Sequence, residues 1–373
     1  MLGTVLLIVL LLALGFLGYC LGKPLLEYFE NNQNTGGSPV WTPPEDTEST
    51  EEQTKPDATA APESTTAPTD TTTAASESPI PEGIAYTVNV PASALSNYAS
   101  LSTFAKKSAS EGFSAAMVVL KDNAGHLRYA SDIEAVQDTD VIIGTLTAQE
   151  ICSALRENGL EPAAVISVLA DNAGCAAIPD MSYKVTDEEN MSWLDYTKEA
   201  PIRWANPENE ATRLYIKEVR DELTAAGFAE IIQTNLIFPD FQEYDKKYIS
   251  AEYFAADRYK LLSGAVLHGQ PIEVNADDII SGQLTRTAEV LKNKSQLADN
   301  KIIVKISRAA FSAENGYPAD AGSLLEVVMV QAMAKNSGLT FAPMIEGKDF
   351  LPAEISDMQE TAKEMGFTDF YIK

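Results

Sequence analysis

Histidine and cysteine are scarce in this chain of 373 residues, which contains two histidines, His126 and His268, and three cysteines. Zinc sites are built from closely spaced Cys and His ligands, and no such spacing occurs. We therefore expect no metal centre and no cofactor, although a calcium or magnesium site made of carboxylates alone stays open. The three cysteines offer no disulfide framework, because Cys20 lies in the apolar leader, Cys152 on a predicted helix and Cys175 in a later loop.

Basic residues are also few, since 27 Lys and Arg stand against 54 Asp and Glu and give a formal net charge of -27. Proteins that bind nucleic acids neutralise phosphates with basic patches. The charge balance therefore argues against a nucleic-acid partner and against docking on anionic lipid.

Three common catalytic motifs are missing. The sequence has no GxSxG elbow, no GxxxxGK phosphate loop and no GxGxxG dinucleotide fingerprint. Their absence disfavours a serine-hydrolase triad, nucleotide hydrolysis and hydride transfer.

Charge is absent from Thr4 to Gly22, a stretch long enough to cross a bilayer as a helix. We predict that residues 1–23 form a membrane anchor or an export signal. An uncleaved anchor is favoured because the large Tyr19 precedes Cys20, where a cleavage site would have small residues. Residues 24–82 are rich in Thr, Pro, Ser and acidic residues, which predicts a disordered linker that holds the rest of the chain outside the cytoplasm.

Residues 83–373 alternate between short apolar strands and amphipathic helices, including a helix over residues 207–226 capped by Asn206. This pattern predicts an α/β fold, a (β/α)8 TIM-like barrel, whose site lies at the carboxyl ends of its strands. The eight predicted strands are Ile84–Val90, Ala115–Lys121, Ala163–Leu169, Glu230–Asn235, Ile272–Asn275, Ile302–Ser307, Thr340–Ile345 and Phe370–Lys373.

Three segments resemble a family of bacterial glycosyl-hydrolase-like barrel domains of unknown function. They are GFSAAMVVLKDNAG at residues 112–125, LEPAAVISVLAD at residues 160–171, and the stretch from WLDY to LIFP at residues 193–239. The resemblance covers most of residues 84–373 and is firmest between Gly112 and Pro239. It implies a barrel that acts on, or binds, carbohydrate.

The chain departs from that family where the chemistry is expected. Family members carry one acid on the second strand and one on the fourth, and the alignment places these positions at Val119 and Thr234. Glycoside hydrolysis normally needs two carboxyl groups beside the scissile bond. Neither valine nor threonine supplies one, so whether the protein is an enzyme is left open.

The first hypothesis is a membrane-tethered, extracytoplasmic, degenerate relative that binds a cell-envelope carbohydrate or partner. We expect its ligand contacts at Asp122, Asn123, Trp193, Trp204, Gln233 and Asn235. The first alternative is an active glycosidase with a relocated carboxylate pair, for which the candidates are Asp122, Asp277 and Glu346. The second alternative is a structural envelope protein that serves as an interaction platform.

Overall fold

The structure is a computed structural model that describes residues 84–186, 188–197, 200–249, 258–281 and 286–373. The predicted membrane segment, the predicted linker and the boundary at residue 83 lie outside these residues and stay predictions. No helix in the described part of the chain is both long enough and apolar enough to cross a membrane.

Eight parallel strands close into a barrel, which confirms the predicted (β/α)8 architecture. Around the barrel the order is β1, β10, β9, β8, β7, β6, β3 and β2, while β4 and β5 form a separate antiparallel hairpin. The strands are β1 (Ala85–Asn89), β2 (Ala115–Lys121), β3 (Glu161–Ser167), β4 (Lys184–Val185), β5 (Glu188–Ser192), β6 (Glu230–Thr234), β7 (Ile272–Asn275), β8 (Lys301–Ile306), β9 (Thr340–Ile345) and β10 (Asp369–Ile372).

Helices surround the barrel and connect its strands. They are α1 (Tyr98–Ser110), α2 (Ala148–Arg156), α3 (Asn172–Ala177), α4 (Glu210–Ala225), α5 (Arg258–Gly264), α6 (Ala276–Ile280), α7 (Ala321–Lys335) and α8 (Pro352–Glu364). Helix α4 begins at Glu210 with Asn209 as its N-cap, three residues later than predicted. Asn206 instead accepts the Glu208 N–H in a turn, so the chain enters the helix only after that turn.

Two apolar layers follow from the alternation of side chains along each strand. In β2, Ala116, Val118 and Leu120 belong to the large core that includes the outer helices. Met117 and Val119 point the other way, into a smaller cluster with Ile232 and Ile303 that fills the barrel. Side chains buried on both faces of a parallel sheet explain why the strands read as nearly continuous apolar runs.

A polar layer lies at the amino-terminal end of the barrel interior. Lys301 Nζ is 3.1 Å from Glu230 Oε1 and 2.9 Å from Asp369 Oδ2, and the Tyr371 hydroxyl donates to Glu230 at 3.0 Å. Burial alone would lower the pKa of Lys301, but the two carboxylates raise it above its ordinary value. The charges in this layer therefore compensate one another inside the fold.

The long segment between β3 and α4 is held by two buried tryptophan–aspartate pairs. Trp193 Nε1 donates to Asp245 Oδ1 at 2.9 Å, and Trp204 Nε1 donates to Asp195 Oδ2 at 3.0 Å. All four side chains are buried. Each indole therefore gives one of these buried carboxylates a hydrogen bond that water cannot supply.

We predict that Trp204→Phe lowers the free energy of unfolding by about 1–3 kcal/mol, because it removes a donor from the buried Asp195. Urea unfolding of the full chain measures this change. Tyr196→Phe is the matched control, since Tyr196 is 64% exposed and its loss of a hydroxyl should change little. Equal stability of the wild type and Trp204→Phe would contradict the assigned role.

Candidate functional site

A cavity of about 410 Å³ opens at the carboxyl ends of the barrel strands. Its apolar lining includes Val119 and Val165, which belong to the apolar cluster inside the barrel and lie at its carboxyl end. Thr234 also lines it, so both positions that the resemblance assigns to the family's acids, Val119 and Thr234, face this cavity. The remaining wall is polar and charged.

A buried ion pair supports one side of the cavity. Lys121 Nζ lies 2.7 Å from Asp171 Oδ2 and donates to the Ser167 carbonyl at 2.6 Å. Asp171 Oδ1 accepts the Gly174 N–H at 2.8 Å and so caps helix α3. The pair joins the end of β2 to the segment after β3. Lys121 is thus paired with Asp171 and not with Asp122, the residue next to Lys121 in sequence.

Asp122 fixes the loop that follows β2. Its Oδ1 accepts the N–H groups of Ala124 and His126, both at 3.0 Å, and its Oδ2 lies 3.0 Å from Arg128 Nη2. Burial would raise the pKa of this carboxyl, but the two N–H groups and the guanidinium together lower it below its ordinary value. Asp122 is therefore held as an anion with little tendency to donate a proton.

Two asparagines meet beside this loop. Asn235 Nδ2 donates to Asn123 Oδ1 at 2.9 Å and to Ser167 Oγ at 3.0 Å. The Asn235 backbone is left-handed, with φ of 53°, a conformation that asparagine tolerates better than most residues. The Thr234 hydroxyl donates to the Ile166 carbonyl at 3.2 Å. This wall thus offers neutral amide groups to a ligand.

The opposite wall is a cluster of ions at the ends of β7, β8 and β10. Lys373 Nζ contacts both carboxylate oxygens of Glu273, at 2.9 and 2.8 Å. Lys305 Nζ lies 3.4 Å from Glu273 Oε1 and 3.7 Å from Glu346 Oε1. Glu346, a predicted candidate acid, does not line the cavity itself but contacts Lys305, which does.

Other predicted site residues lie elsewhere. Gln233 is fully buried outside the barrel, where its amide bonds the backbone N–H and carbonyl of Leu267 at 2.6 and 3.0 Å. Asp277 is exposed on helix α6 and does not line the cavity. Trp204 is buried in the segment between β3 and α4. Of the predicted ligand contacts, the structure brings Asp122, Asn123 and Asn235 together at the cavity.

Trp193 borders a second, separate groove of about 960 Å³. Exposed Tyr196, Tyr244 and Tyr248 line it, together with Met191. The Trp193 ring itself is buried and packs against other aromatic rings, so it forms the floor of this groove.

Sequence reasoning missed Arg128, Glu273, Lys305 and Lys373. Strand alternation could have indicated Lys305, because Lys305 lies two residues after Ile303 and therefore shares the inward face of β8. No group of three or more His, Cys, Asp or Glu side chains in the described ranges is arranged to hold a metal ion.

Comparison with protein families identifies the domain. A family model described as "Putative glycosyl hydrolase domain" matches residues 87–293, more than half of the chain. The chain belongs to this family. The matched region includes both substituted positions, Val119 and Thr234. No curated protein matches the sequence.

Solved structures show low similarity to the chain. A hypothetical protein from Ruminiclostridium thermocellum is 17% identical, with 48% of this chain and 88% of that one covered and a TM-score of 0.40. The glycoside hydrolase domain of PgaB (BpsB) from Bordetella bronchiseptica is 12% identical, with 78% and 93% covered and a TM-score of 0.48. A GH20 exo-β-N-acetylglucosaminidase from Vibrio harveyi is 10% identical, with 70% and 41% covered and a TM-score of 0.41.

We predict that Gly125→Ala destabilises the fold by several kcal/mol. Gly125 has φ of 91°, and an added Cβ would lie 1.9 Å from Asp171 Oδ1, against the buried ion pair. Gly159→Ala is the matched control, because Gly159 has φ of 84° but no atom within 4 Å of an added Cβ. Its cost should be about 1 kcal/mol, from backbone strain alone. Thermal or urea unfolding compares the two, and equal losses would contradict the close approach to Asp171.

Proposed function

We propose that this domain is a glycoside-hydrolase-like barrel that binds a cell-envelope carbohydrate in its cavity without cleaving it. The observation that carries the proposal is the cavity itself, which is lined by the neutral side chains of Val119 and Thr234; the resemblance assigns the family's acids to these two positions. The size supports it, because cavities of about 300–1,000 Å³ are typical of small-molecule sites. Asn123 and Asn235 supply the amide donors and acceptors that sugar hydroxyls need.

The state of the remaining carboxylates supports binding over hydrolysis. A glycosidase needs one carboxyl group that holds a proton for the leaving oxygen. Asp122 is bonded by two N–H groups and Arg128, and Glu273 is bonded by Lys373 through both oxygens. Asp122 is therefore arranged as a hydrogen-bond acceptor, the opposite of what a proton donor requires, and both oxygens of Glu273 are occupied by Lys373.

One observation favours the alternative of an active glycosidase. Glu273 and Glu346 both contact Lys305, so their nearest oxygens are at most about 7 Å apart, the sum of the two contact distances. Such a separation is compatible with the spacing of a catalytic pair, about 5 to 9.5 Å. Against it, the Lys305 ammonium group lies between the two carboxylates, 3.4 Å from Glu273 Oε1 and 3.7 Å from Glu346 Oε1.

The sequence supports a place at the membrane. The uncharged segment Thr4–Gly22 is the proposed anchor, and residues 24–82 are the proposed spacer between membrane and barrel. We place the barrel on the extracytoplasmic side, where envelope carbohydrates are found.

We predict that the full chain binds envelope polysaccharide fragments and releases no reducing ends from them. Asn235→Gly should weaken binding roughly 3- to 10-fold, because it removes the amide and its hydrogen bonds while glycine keeps the left-handed backbone. Isothermal titration measures affinity, and a reducing-sugar assay measures cleavage. Glu273→Gln and Glu346→Gln serve as the catalytic test, since hydrolysis by the wild type that either change abolishes would establish the glycosidase instead.

We also predict that the full chain sediments with membranes and resists extraction by high salt. Deletion of residues 4–22 should move it to the soluble fraction, because no other predicted segment anchors it. Deletion of an equal length of the linker, residues 50–68, is the control and should leave it with the membrane. A deletion of residues 4–22 that stayed in the membrane fraction would contradict the anchor.

A further inference from the structure

The charge of the cavity is opposite to that of the whole protein. Acidic residues outnumber basic ones by two to one along the chain, 54 against 27. The cavity reverses this ratio, because it is lined by four basic and two acidic side chains, Lys121, Arg128, Lys305, Lys373, Asp122 and Glu273. Asp171 and Glu346 contact Lys121 and Lys305 but do not line the cavity, so the excess of cations is confined to the lining. Cations that line a cavity of a strongly acidic protein point to a ligand of negative charge.

The cations also lie nearer to solvent than the carboxylates that partner them. The side chains of Lys305 and Lys373 are 24% and 27% exposed, whereas Glu273 between them is 8% exposed. The Arg128 side chain is likewise more exposed than that of Asp122. A ligand that enters the cavity therefore meets the cations first, with the carboxylates behind them.

Lys305 has hydrogen-bonding capacity left for a ligand. Its contacts with Glu273 and Glu346, at 3.4 and 3.7 Å, are longer than the 2.7–3.2 Å of a typical N–H to oxygen hydrogen bond. Glu273 is already bonded through both oxygens by Lys373. Because an ammonium group carries three donors, Lys305 can bond an incoming oxyanion without breaking a short contact.

We infer that the cavity selects a saccharide that carries an oxyanion, a carboxylate or a phosphate. The anionic group lies between Lys305 and Lys373, with Arg128 on the side of the β2 loop. The neutral hydroxyls face Asn123 and Asn235. This inference rests on the proposed function, carbohydrate binding without cleavage, and adds the charge class of the carbohydrate.

The test compares an anionic saccharide with its uncharged methyl ester and adds a phosphate-bearing polyol as a second anionic probe. Isothermal titration of the full chain uses tetragalacturonate, the same tetramer with its carboxyls methyl-esterified, and a glycerol phosphate oligomer. At least one anionic probe should bind about tenfold or more tightly than the methyl ester. This advantage should shrink as salt rises from about 0.05 to 0.5 M. Tighter binding of the galacturonate assigns the carboxylate source, and tighter binding of the glycerol phosphate assigns the phosphate source.

Two substitutions should shift anion binding in opposite directions. Lys305→Gln should weaken binding of the anionic probe about tenfold and leave the methyl ester unchanged, whereas Glu273→Gln should strengthen anion binding because it frees Lys305 and Lys373. General loss of stability would not produce opposite shifts. Lys363→Gln, the same charge change at an exposed position of helix α8, is the control.

The outcomes separate the two proposals. Binding of the methyl ester as tightly as the anionic probes, with no effect of Lys305→Gln, overturns the charge selectivity and leaves carbohydrate binding standing. Failure of every saccharide to bind, charged or neutral, overturns the proposed function and the inference together.

Discussion

The alternation of side chains along eight closed strands is the constraint on which the rest of the structure depends. Every second residue of each strand must fit inside the barrel, where space and water are limited. In β8 this face carries Lys301, Ile303 and Lys305, and in β6 it carries Glu230, Ile232 and Thr234. The interior is consequently layered, with charge at the amino end, an apolar middle and charge again at the carboxyl end, where the cavity opens.

The charged layers at the two ends of the barrel both pair lysines with carboxylates, but they differ in how closely the charges are matched. Buried ions need partners, since an unpaired charge in the interior is strongly destabilising. At the amino end, Lys301 is matched by Glu230 and Asp369 at 3.1 and 2.9 Å. At the carboxyl end, Lys305 and Lys373 both contact Glu273, and Lys305 also lies 3.7 Å from Glu346. The first layer matches one lysine with two carboxylates at short distances, whereas in the second layer Lys305 makes only longer contacts and lines the cavity.

The sequence was sufficient to predict the barrel, because runs such as Ala116–Leu120 are apolar on both faces and are separated by helical patterns. The sequence also placed Asp122, Asn123 and Asn235 correctly at the carboxyl edge of the barrel, where the cavity opens.

Gln233 was expected at the ligand but faces away from it. Its neighbour Thr234 faces the cavity, so strand alternation turns Gln233 toward Leu267 outside the barrel. The contacts between Glu273, Lys305 and Lys373 could not be predicted, because they depend on which strands meet across the barrel. Trp193 and Trp204 were expected at the ligand, but an indole N–H can also partner a buried aspartate, and sequence does not distinguish the two.

The side chains of Val119 and Thr234 connect the proposed absence of acid chemistry to the charge of the cavity. The resemblance assigns the family's two carboxylates to these positions, and in this structure both side chains face the cavity beside Lys121, Asp122 and Asn235. Replacing two carboxylates by neutral side chains makes the cavity more positive by up to two charges, while its lysines and Arg128 remain. A catalytic pair there would repel an oxyanion at short range and would also balance these cations. We therefore propose that neutral side chains at Val119 and Thr234 favour both binding without hydrolysis and an anionic ligand, for one electrostatic reason.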